Sequence, residues 1–382
     1  MHSTPSSSTT LCTRAFRRVW RLCRKPAGAA VLGAALGAAY MAANVLGNYG
    51  GNITGLFYTG PATPLPPALA GAHTFRVKDE KGYDAQYYHV IAHDPLNRAQ
   101  SLQYVDNPRV RWRRIGVPGL AALFPNPDWA YVAIQLLFAF LGALWLGPWA
   151  LAFLLIPAVL VSFDRLTVDL VLASLTIGFI RFRRPWAILL YAPLVRETGL
   201  VLIAAWCLWN ALHRKWREAV IGAACAIPTL LWYLWGQLHT PPDGVAWLTP
   251  WPFSGLIART LAGDSGPTTT LWLRAAHYSE GIALAGIWLA LACGLWLLAK
   301  RPKGLLEITA ILFVLFHSLI GRYDVWDTAY AAGRTMSPPL ILLGLLAIRD
   351  RRPLFAAPLF LILPRLLLQY EAQLLAAVRH LS

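Results

Sequence analysis

The chain has 382 residues, of which 57% are hydrophobic and only 14% are charged, and its mean hydropathy is +0.49. A soluble globular chain of this length is far less apolar, so the composition argues against a soluble domain and favours a protein that lies in a lipid bilayer. The formal net charge of +16 does not indicate nucleic acid as a partner, because Lys and Arg lie in short clusters between apolar segments, as topology anchors do.

The predicted elements are helices throughout. Residues 1–26 are polar and basic and are interpreted as a cytoplasmic tail. Apolar segments follow, most of them near or below the roughly 20 residues that span a hydrocarbon core. The predicted segments are 27–47, 128–146, 150–163, 165–181, 185–195, 197–212, 218–236, 279–299, 304–320, 333–348 and 353–368. The fold class is therefore all-α: a polytopic membrane protein with about 11 transmembrane segments in one domain over 27–368, followed by a short amphipathic tail at 369–382.

Basic clusters set the predicted orientation. With the N-terminus in the cytoplasm, four later clusters also fall on that side, in agreement with the positive-inside tendency. They are Arg181/Arg183/Arg184, Arg214/Lys215/Arg217, Lys300/Arg301/Lys303 and Arg349/Arg351/Arg352. Of the 18 acidic residues, only Glu218, Glu307 and Asp350 lie on the same side, so acidic chemistry is expected on the outer face.

The stretch 185–212 has basic flanks at both ends, so it must enter the membrane and return. Its turn then falls near Arg196 and Glu197, at the outer face or in an outward cavity. Two charges at membrane depth indicate function, although a structural ion pair that holds the hairpin is an equally good interpretation.

Two outer loops are long, at about 48–127 and 237–278. The first contains GYDAQYYHVIAHDPL, which predicts a helix near Tyr83 to His93, and then VDNPRVRWRRIGVPGL. Its candidate site residues are Asp84, Tyr87, Tyr88, Asp94, Asp106, Arg113 and Arg114. The alternatives are a helix cap or solvated carboxylate for Asp84, a helix end for Asp94, a turn for Asp106, and headgroup anchoring for the arginines.

Three further stretches deliver charges to the same outer level. SFDRLTVDL contributes Asp164, APLVRETGL contributes the Arg196–Glu197 pair, and GRYDVWDTAYAAGRTMSPPL contributes Arg322 and Arg334. A carboxylate can take a proton from an acceptor, and the planar guanidinium of Arg can bind two phosphate oxygens. The alternative interpretation of Arg322 and Arg334 is that they anchor the protein to lipid headgroups.

His89 and His93 are four residues apart, the spacing of helical metal ligands. The sequence offers no obvious third ligand, so we predict no metal site; the cofactor is unknown, and a divalent cation is compatible with the acids but not indicated.

The motifs of the first outer loop and of the three later charged stretches resemble those of the GT-C superfamily of polyprenyl-phosphate-sugar-dependent glycosyltransferases. More narrowly, they are similar to a group of bacterial multi-pass proteins described as glycosyltransferase-like. The motifs are Tyr83-Asp84-Ala85-Gln86-Tyr87-Tyr88, Asp94-Pro95, Asp106-Asn107-Pro108, Arg113-Arg114-Ile115, Asp164-Arg165-Leu166 and Arg196-Glu197-Thr198. Ala85 stands where the narrower group commonly has Gly, and there is no tight pair of aspartates.

The resemblance implies transfer of a sugar, with inversion, from a polyprenyl-phosphate donor to a glycan, lipid or protein acceptor. It gives Asp84 the place of the superfamily's first-loop acid, a base or a metal-associated residue, and we favour the catalytic base. It also implies a GT-C-like fold and a bacterial inner membrane whose lipids surround the protein, with the active face periplasmic or extracellular. In our leading hypothesis Arg196, Arg322 and Arg334 hold phosphate, and Glu197, Asp94 and Asp164 orient sugar hydroxyls or a cation. The alternatives are a flippase or transporter for a lipid-linked solute, which the lack of a visible internal repeat disfavours, and a scaffold without catalysis.

Overall fold

The computed structural model describes residues 25–78, 81–242, 244, 246–263, 269–302 and 304–381, with side chains to Arg379. The predicted tail at 1–26 thus lies outside the described residues except for its last two positions. The α-helices are α1 Pro26–Gly47, α2 Ala85–His93, α3 Pro108–Arg113, α4 Gly116–Ala121, α5 Pro127–Leu146, α6 Pro157–Arg165, α7 Asp169–Arg181, α8 Trp186–Val195, α9 Leu200–Leu212, α10 Trp216–Ala224, α11 Ile227–His239, α12 Ser254–Ala262, α13 Leu271–Ala299, α14 Leu305–Ser318, α15 Tyr323–Trp326, α16 Ala329–Thr335, α17 Ser337–Asp350 and α18 Ala357–Leu381.

Short 3₁₀ helices lie at Ile53–Phe57, Pro67–Leu69, Ser101–Tyr104, Gly147–Leu155, Glu197–Gly199 and Pro353–Phe355. In the part of the chain that the structure describes, β-pairing is limited to two isolated bridges, Thr59 with Arg76 and Leu248 with Ile320. The prediction of an all-α chain is confirmed.

Five helical segments among the described residues are long and apolar enough to cross a bilayer. They are Pro26–Gly47, Pro127–Leu155, Trp216–His239, Leu271–Ala299 and Pro353–Arg379. The pair α16 and α17, bent by 65°, makes a sixth if it is one broken span. The structure fits a multi-pass helical membrane protein.

The other predicted spans correspond to shorter helices. Helices α6, α7, α8, α9 and α14 have 9, 13, 10, 13 and 14 residues. At 1.5 Å per residue, such helices are about 14 to 21 Å long, short of the roughly 30 Å hydrocarbon core. Length therefore supports five or six spans in the described ranges, and the count of eleven stays a prediction.

A sharp break between α6 and α7 positions two acids. Helix α6 ends at Arg165, and Leu166 follows in the left-handed region with φ of 32°. This conformation is uncommon for a residue with a side chain, and the full burial of Leu166 holds it in place. The break separates Asp164, near the end of α6, from Asp169, the first residue of α7.

The predicted C-terminal tail is a continuation of a helix. Helix α18 runs without a break through residues 369–381 and packs against α1. The Tyr40 and Tyr370 rings stack with centroids 4.3 Å apart, and Asn48 Nδ2 donates to the Gln373 backbone oxygen at 3.1 Å. The two ends of the described chain thus close one side of the bundle.

We predict that Gly47→Ala destabilises the protein. A Cβ atom at this position would lie 2.6 Å from the Ala377 Cα atom, so α1 and α18 would have to separate, at a cost of about 1–3 kcal/mol. Gly281→Ala is the matched control, because a Cβ there meets no atom within 4 Å, and alanine is the better helix former by about 1 kcal/mol. Thermal unfolding in one detergent measures both; equal changes in Tm would contradict the contact between α1 and α18.

Candidate active site

Asp84 lies directly before α2 and is held by two arginines. It occupies the N-cap position, but its carboxylate accepts no capping hydrogen bond. Instead, Oδ1 lies 3.0 Å from Arg111 Nη2 and Oδ2 lies 2.8 Å from Arg334 Nη2. The Asp84 side chain is 21% exposed, and the two arginine side chains are 8% and 10% exposed. The geometry argues against both the solvated carboxylate and the helix cap.

The ion pairs continue beyond Asp84. Arg334 Nη1 lies 3.6 Å from Asp169 Oδ2, and Asp169 Oδ1 pairs with Arg196 Nη1. We call Asp84, Arg111, Arg334, Asp169 and Arg196 the central network. Its members come from four separate regions of the chain: the first loop, the start of α7, the turn after α8, and α16.

A second contact joins the first loop to the turn between α8 and α9. Arg114 Nε donates to Glu197 Oε2 at 2.9 Å, and Arg114 Nη1 donates to the Tyr88 hydroxyl at 2.9 Å. Tyr88 and Arg114 of the first loop therefore lie next to the turn between α8 and α9. The structure thus brings these distant acids and arginines into contact.

Asp164 lies in an aromatic setting beside the central network. Its side chain is fully buried and accepts hydrogen bonds from the Tyr40 hydroxyl at 2.8 Å and the Tyr330 hydroxyl at 2.6 Å. The neighbouring Arg165 guanidinium lies 4.1 Å from the Tyr58 ring centroid and 4.9 Å from that of Tyr83, which are cation–π distances. These contacts leave Asp164 without direct access to a substrate.

Asp94 organises the end of α2. Its carboxylate accepts the backbone N–H groups of Arg98 at 2.7 Å and Ala99 at 3.0 Å, and the Ser101 hydroxyl at 2.7 Å. This is the helix-end alternative, in which the acceptor capacity of the carboxylate is used by its own loop.

Two more predicted residues of the first loop flank Arg111. Asp106 Oδ1 accepts from Arg111 Nε at 2.8 Å, and its side chain is 40% exposed. The Tyr87 ring centroid lies 4.9 Å from the Arg111 guanidinium carbon. Both residues therefore position the arginine that holds Asp84.

Arg322 and Arg113 bind partners outside the central network. Arg322 pairs with the exposed Asp324 at 2.8 Å and lies over the Trp247 ring at 4.2 Å from its centroid. The Arg113 guanidinium lies over the Tyr233 ring at 5.4 Å. Neither arginine bonds a network carboxylate, in contrast to Arg334.

Sequence reasoning missed Arg111 as a site residue, although a signal was present. Arg111 and Arg114 are three residues apart, so in a helix they share a face, whereas Arg113 points elsewhere. Both members of that pair bind carboxylates, Asp84 and Glu197, while Arg113 binds neither. Helical spacing within the basic tract distinguishes the arginines of the site from the others.

The arginines decide the protonation state of Asp84. Burial by itself favours the neutral acid, but Arg111 and Arg334 outweigh it and hold the pKa of Asp84 well below its usual range. Asp84 is therefore a carboxylate at neutral pH. It is also a weak base for as long as both guanidinium groups stay bound to it.

A cavity of about 510 Å³ borders the network. Arg113, Arg114, Arg196 and Glu197 line it together with apolar residues. Leu200, Val201 and Ala204 continue the lining along α9, and Phe316, Ile320 and Val325 complete the apolar wall. The cavity thus offers both cationic groups and a hydrocarbon-compatible surface.

No protein-family model, curated protein or solved structure matches this chain. The fold and the site fit a multi-pass helical membrane protein with a partly buried acid–arginine site beside an amphiphilic cavity.

We predict that Asp84→Asn is strongly destabilising, by about 3–5 kcal/mol, because two buried arginines lose the carboxylate they share. Their remaining acidic partners are the 40% exposed Asp106 and the more distant Asp169, at 3.6 Å. Asp106→Asn is the matched control: its carboxylate also binds Arg111 but is 40% exposed, so its loss costs about 1 kcal/mol or less. Thermal unfolding in detergent measures the stability of both variants. An equal loss of stability would show that burial of the carboxylate does not determine the free-energy cost of removing it.

The ion pairs of Asp84 with Arg111 and Arg334 also make the stability of the protein depend on pH. Because the pKa of Asp84 is lowered on folding, its stabilisation is complete above the unfolded pKa of about 3.9 and is lost as pH falls below that value. The difference in Tm between the native protein and Asp84→Asn should stay constant from about pH 8 to pH 5 and shrink only below about pH 4. A difference that shrinks near pH 6 would contradict the double ion pair.

Proposed function

We propose that the chain is a membrane glycosyltransferase that moves a sugar from a polyprenyl-phosphate donor to an acceptor on the outer face of the membrane. The observation that carries the proposal is the cavity of about 510 Å³, which joins Arg113, Arg114 and Arg196 to an apolar wall. A lipid phosphate needs cationic groups for its anionic phosphate and an apolar surface for its hydrocarbon chain. The resemblance to the GT-C superfamily supplies the reaction class.

In this proposal the arginines bind the phosphate of the donor. Arg196 lines the cavity and belongs to the central network, and Arg114 lines it from the first loop. Guanidinium groups held in place by carboxylates are preorganised, so they lose little freedom when phosphate binds. Arg322 is less well placed, since its side chain is occupied by Asp324 and Trp247.

Asp84 is the proposed base. The acceptor hydroxyl oxygen bonds to the anomeric carbon, the bond from that carbon to the phosphate oxygen breaks, and the hydroxyl proton passes to Asp84 while polyprenyl phosphate leaves. Donor phosphate bound to Arg196 competes with Asp169 for that arginine, and Asp169 then draws Arg334 away from Asp84, which makes the Asp84 carboxylate more basic. Binding of the donor would thus activate the base.

Glu197 is the rival carboxylate for the same role. It lines the cavity directly, and its side chain is 28% exposed, against 21% for Asp84. Arg114 occupies both of its oxygens. Comparison of the two acids by mutation decides which one takes the proton.

We predict that Asp84→Asn lowers kcat for sugar transfer by about 10²- to 10⁴-fold, the usual contribution of a general base. The assay uses purified protein in lipid with radiolabelled polyprenyl-phosphate sugars and candidate acceptors. Asp350→Asn is the control, because that exposed acid pairs with Arg349 away from the site. Full activity of folded Asp84→Asn with loss in Glu197→Gln would move the base to Glu197. Translocation of the donor without transfer would instead favour a flippase, and neither activity would favour a scaffold.

We predict that Ala204→Trp raises the KM for the polyprenyl-phosphate donor by at least about tenfold, which corresponds to 1.4 kcal/mol of binding. Ala204 lines the cavity on α9, so an indole there takes the space of the lipid chain. Ala152→Trp is the control, since Ala152 lines a different apolar cavity, next to α17. Equal effects of the two substitutions would exclude the cavity as the donor site.

A further inference from the structure

Three side chains with metal-binding atoms meet at the far end of α2 from Asp84. His89 and His93 lie one turn apart on α2, and Asp128 lies in the first turn of α5. The Asp128 Oδ1 atom is 3.0 Å from His89 Nε2 and 2.9 Å from His93 Nε2. One ligand atom from each residue lies within 4.8 Å of the others. The third ligand that the sequence did not reveal is therefore present in the fold.

The spacing suits a small divalent ion. Nitrogen and oxygen ligands bind Zn²⁺ at about 2.0–2.2 Å, so ligand atoms around one tetrahedral ion lie roughly 3.3 Å apart. The two observed N···O distances of 3.0 and 2.9 Å need to lengthen by only about 0.3 to 0.4 Å to reach that value. Small side-chain rotations suffice for this.

The setting of His89 is unusual for a residue that serves only to pack. Its side chain is fully buried, its ring is stacked on Phe57 with centroids 4.2 Å apart, and neither ring nitrogen makes a hydrogen bond of good geometry. The contact of Nε2 with Asp128 has the distance of a hydrogen bond but not its direction. Buried polar atoms without a partner are rare, and a bound ion is one accepted reason for them.

A cavity of about 400 Å³ reaches the cluster from one side. His93 and Asp128 line it, together with the polar residues Asn52, Thr54 and Asn126. Three protein ligands and an open side are the pattern of a zinc site that keeps a position for water or another ligand. Two imidazoles also argue against Mg²⁺ and Ca²⁺, which prefer oxygen ligands.

We propose that His89, His93 and Asp128 bind one divalent ion of the zinc type, with the remaining position open to the cavity. The ion links α2 to α5 and so fixes the helix that Asp84 precedes. This site is separate from the central network, and its existence does not depend on the proposed sugar transfer.

The test uses the full-length protein in lipid nanodiscs, without an affinity tag and after treatment with a chelator. Titration with Zn²⁺ by calorimetry should give one site per chain, and Co²⁺ should give the visible absorption of a four- or five-coordinate ion. His93→Gln and Asp128→Asn should each weaken binding by more than the roughly 10- to 100-fold that loss of an outer-shell partner costs. His73→Gln is the control, because His73 lines the same cavity outside the cluster, and it should leave the affinity unchanged.

X-ray absorption on the Zn²⁺-loaded native protein decides the matter even where a variant does not fold. Two imidazoles and oxygen ligands at about 2.0–2.2 Å are the expected shell. Lack of saturable binding, a sulfur-containing shell, or binding that His93→Gln and Asp128→Asn leave unchanged would each overturn the proposal.

Discussion

The site depends on one arrangement: the Asp84 carboxylate lies between Arg111 and Arg334, largely out of water. Taking these three charges out of water is costly, and their mutual attraction repays the cost only when the geometry is good. Removing Asp84 takes from two buried arginines the carboxylate that they share. These ion pairs hold the first loop, with Asp84 and Arg111, against α16.

The same arrangement determines the chemistry that the site can support. Because Asp169 connects Arg334 to Arg196, the charge pattern extends from Asp84 to the wall of the cavity. Arginines aligned by carboxylates form a preorganised binding site for a phosphate. A ligand that attracts them also changes the proton affinity of Asp84. The proposed transfer reaction would couple donor binding to activation of the base through these contacts.

Patterns within short stretches of sequence predicted where helices form. Contacts between residues distant in the sequence could be seen only in the structure. The helix expected near Tyr83 to His93 is found at Ala85–His93, and acids and arginines from separate stretches of the chain are in contact. The partner of Asp84 on α16 could not be chosen from sequence, because Arg322 and Arg334 share the same local setting. Asp128 was likewise missed as a neighbour of His89, since nothing in the sequence relates the first turn of α5 to the end of α2. The number of spans stays a prediction, because some apolar runs, such as 150–163, are interrupted where the 3₁₀ helix ends before Pro157.

A double-mutant cycle on Asp84 and Arg334 tests the central claim most directly. The free energy of unfolding is measured in mixed detergent micelles for the native protein, Asp84→Asn, Arg334→Gln and the double variant. The ion pair predicts a coupling energy of at least about 1 kcal/mol, with the double variant less destabilised than the sum of the single ones. Effects that add within about 0.5 kcal/mol would mean that the two residues do not interact, and the site as described would not exist.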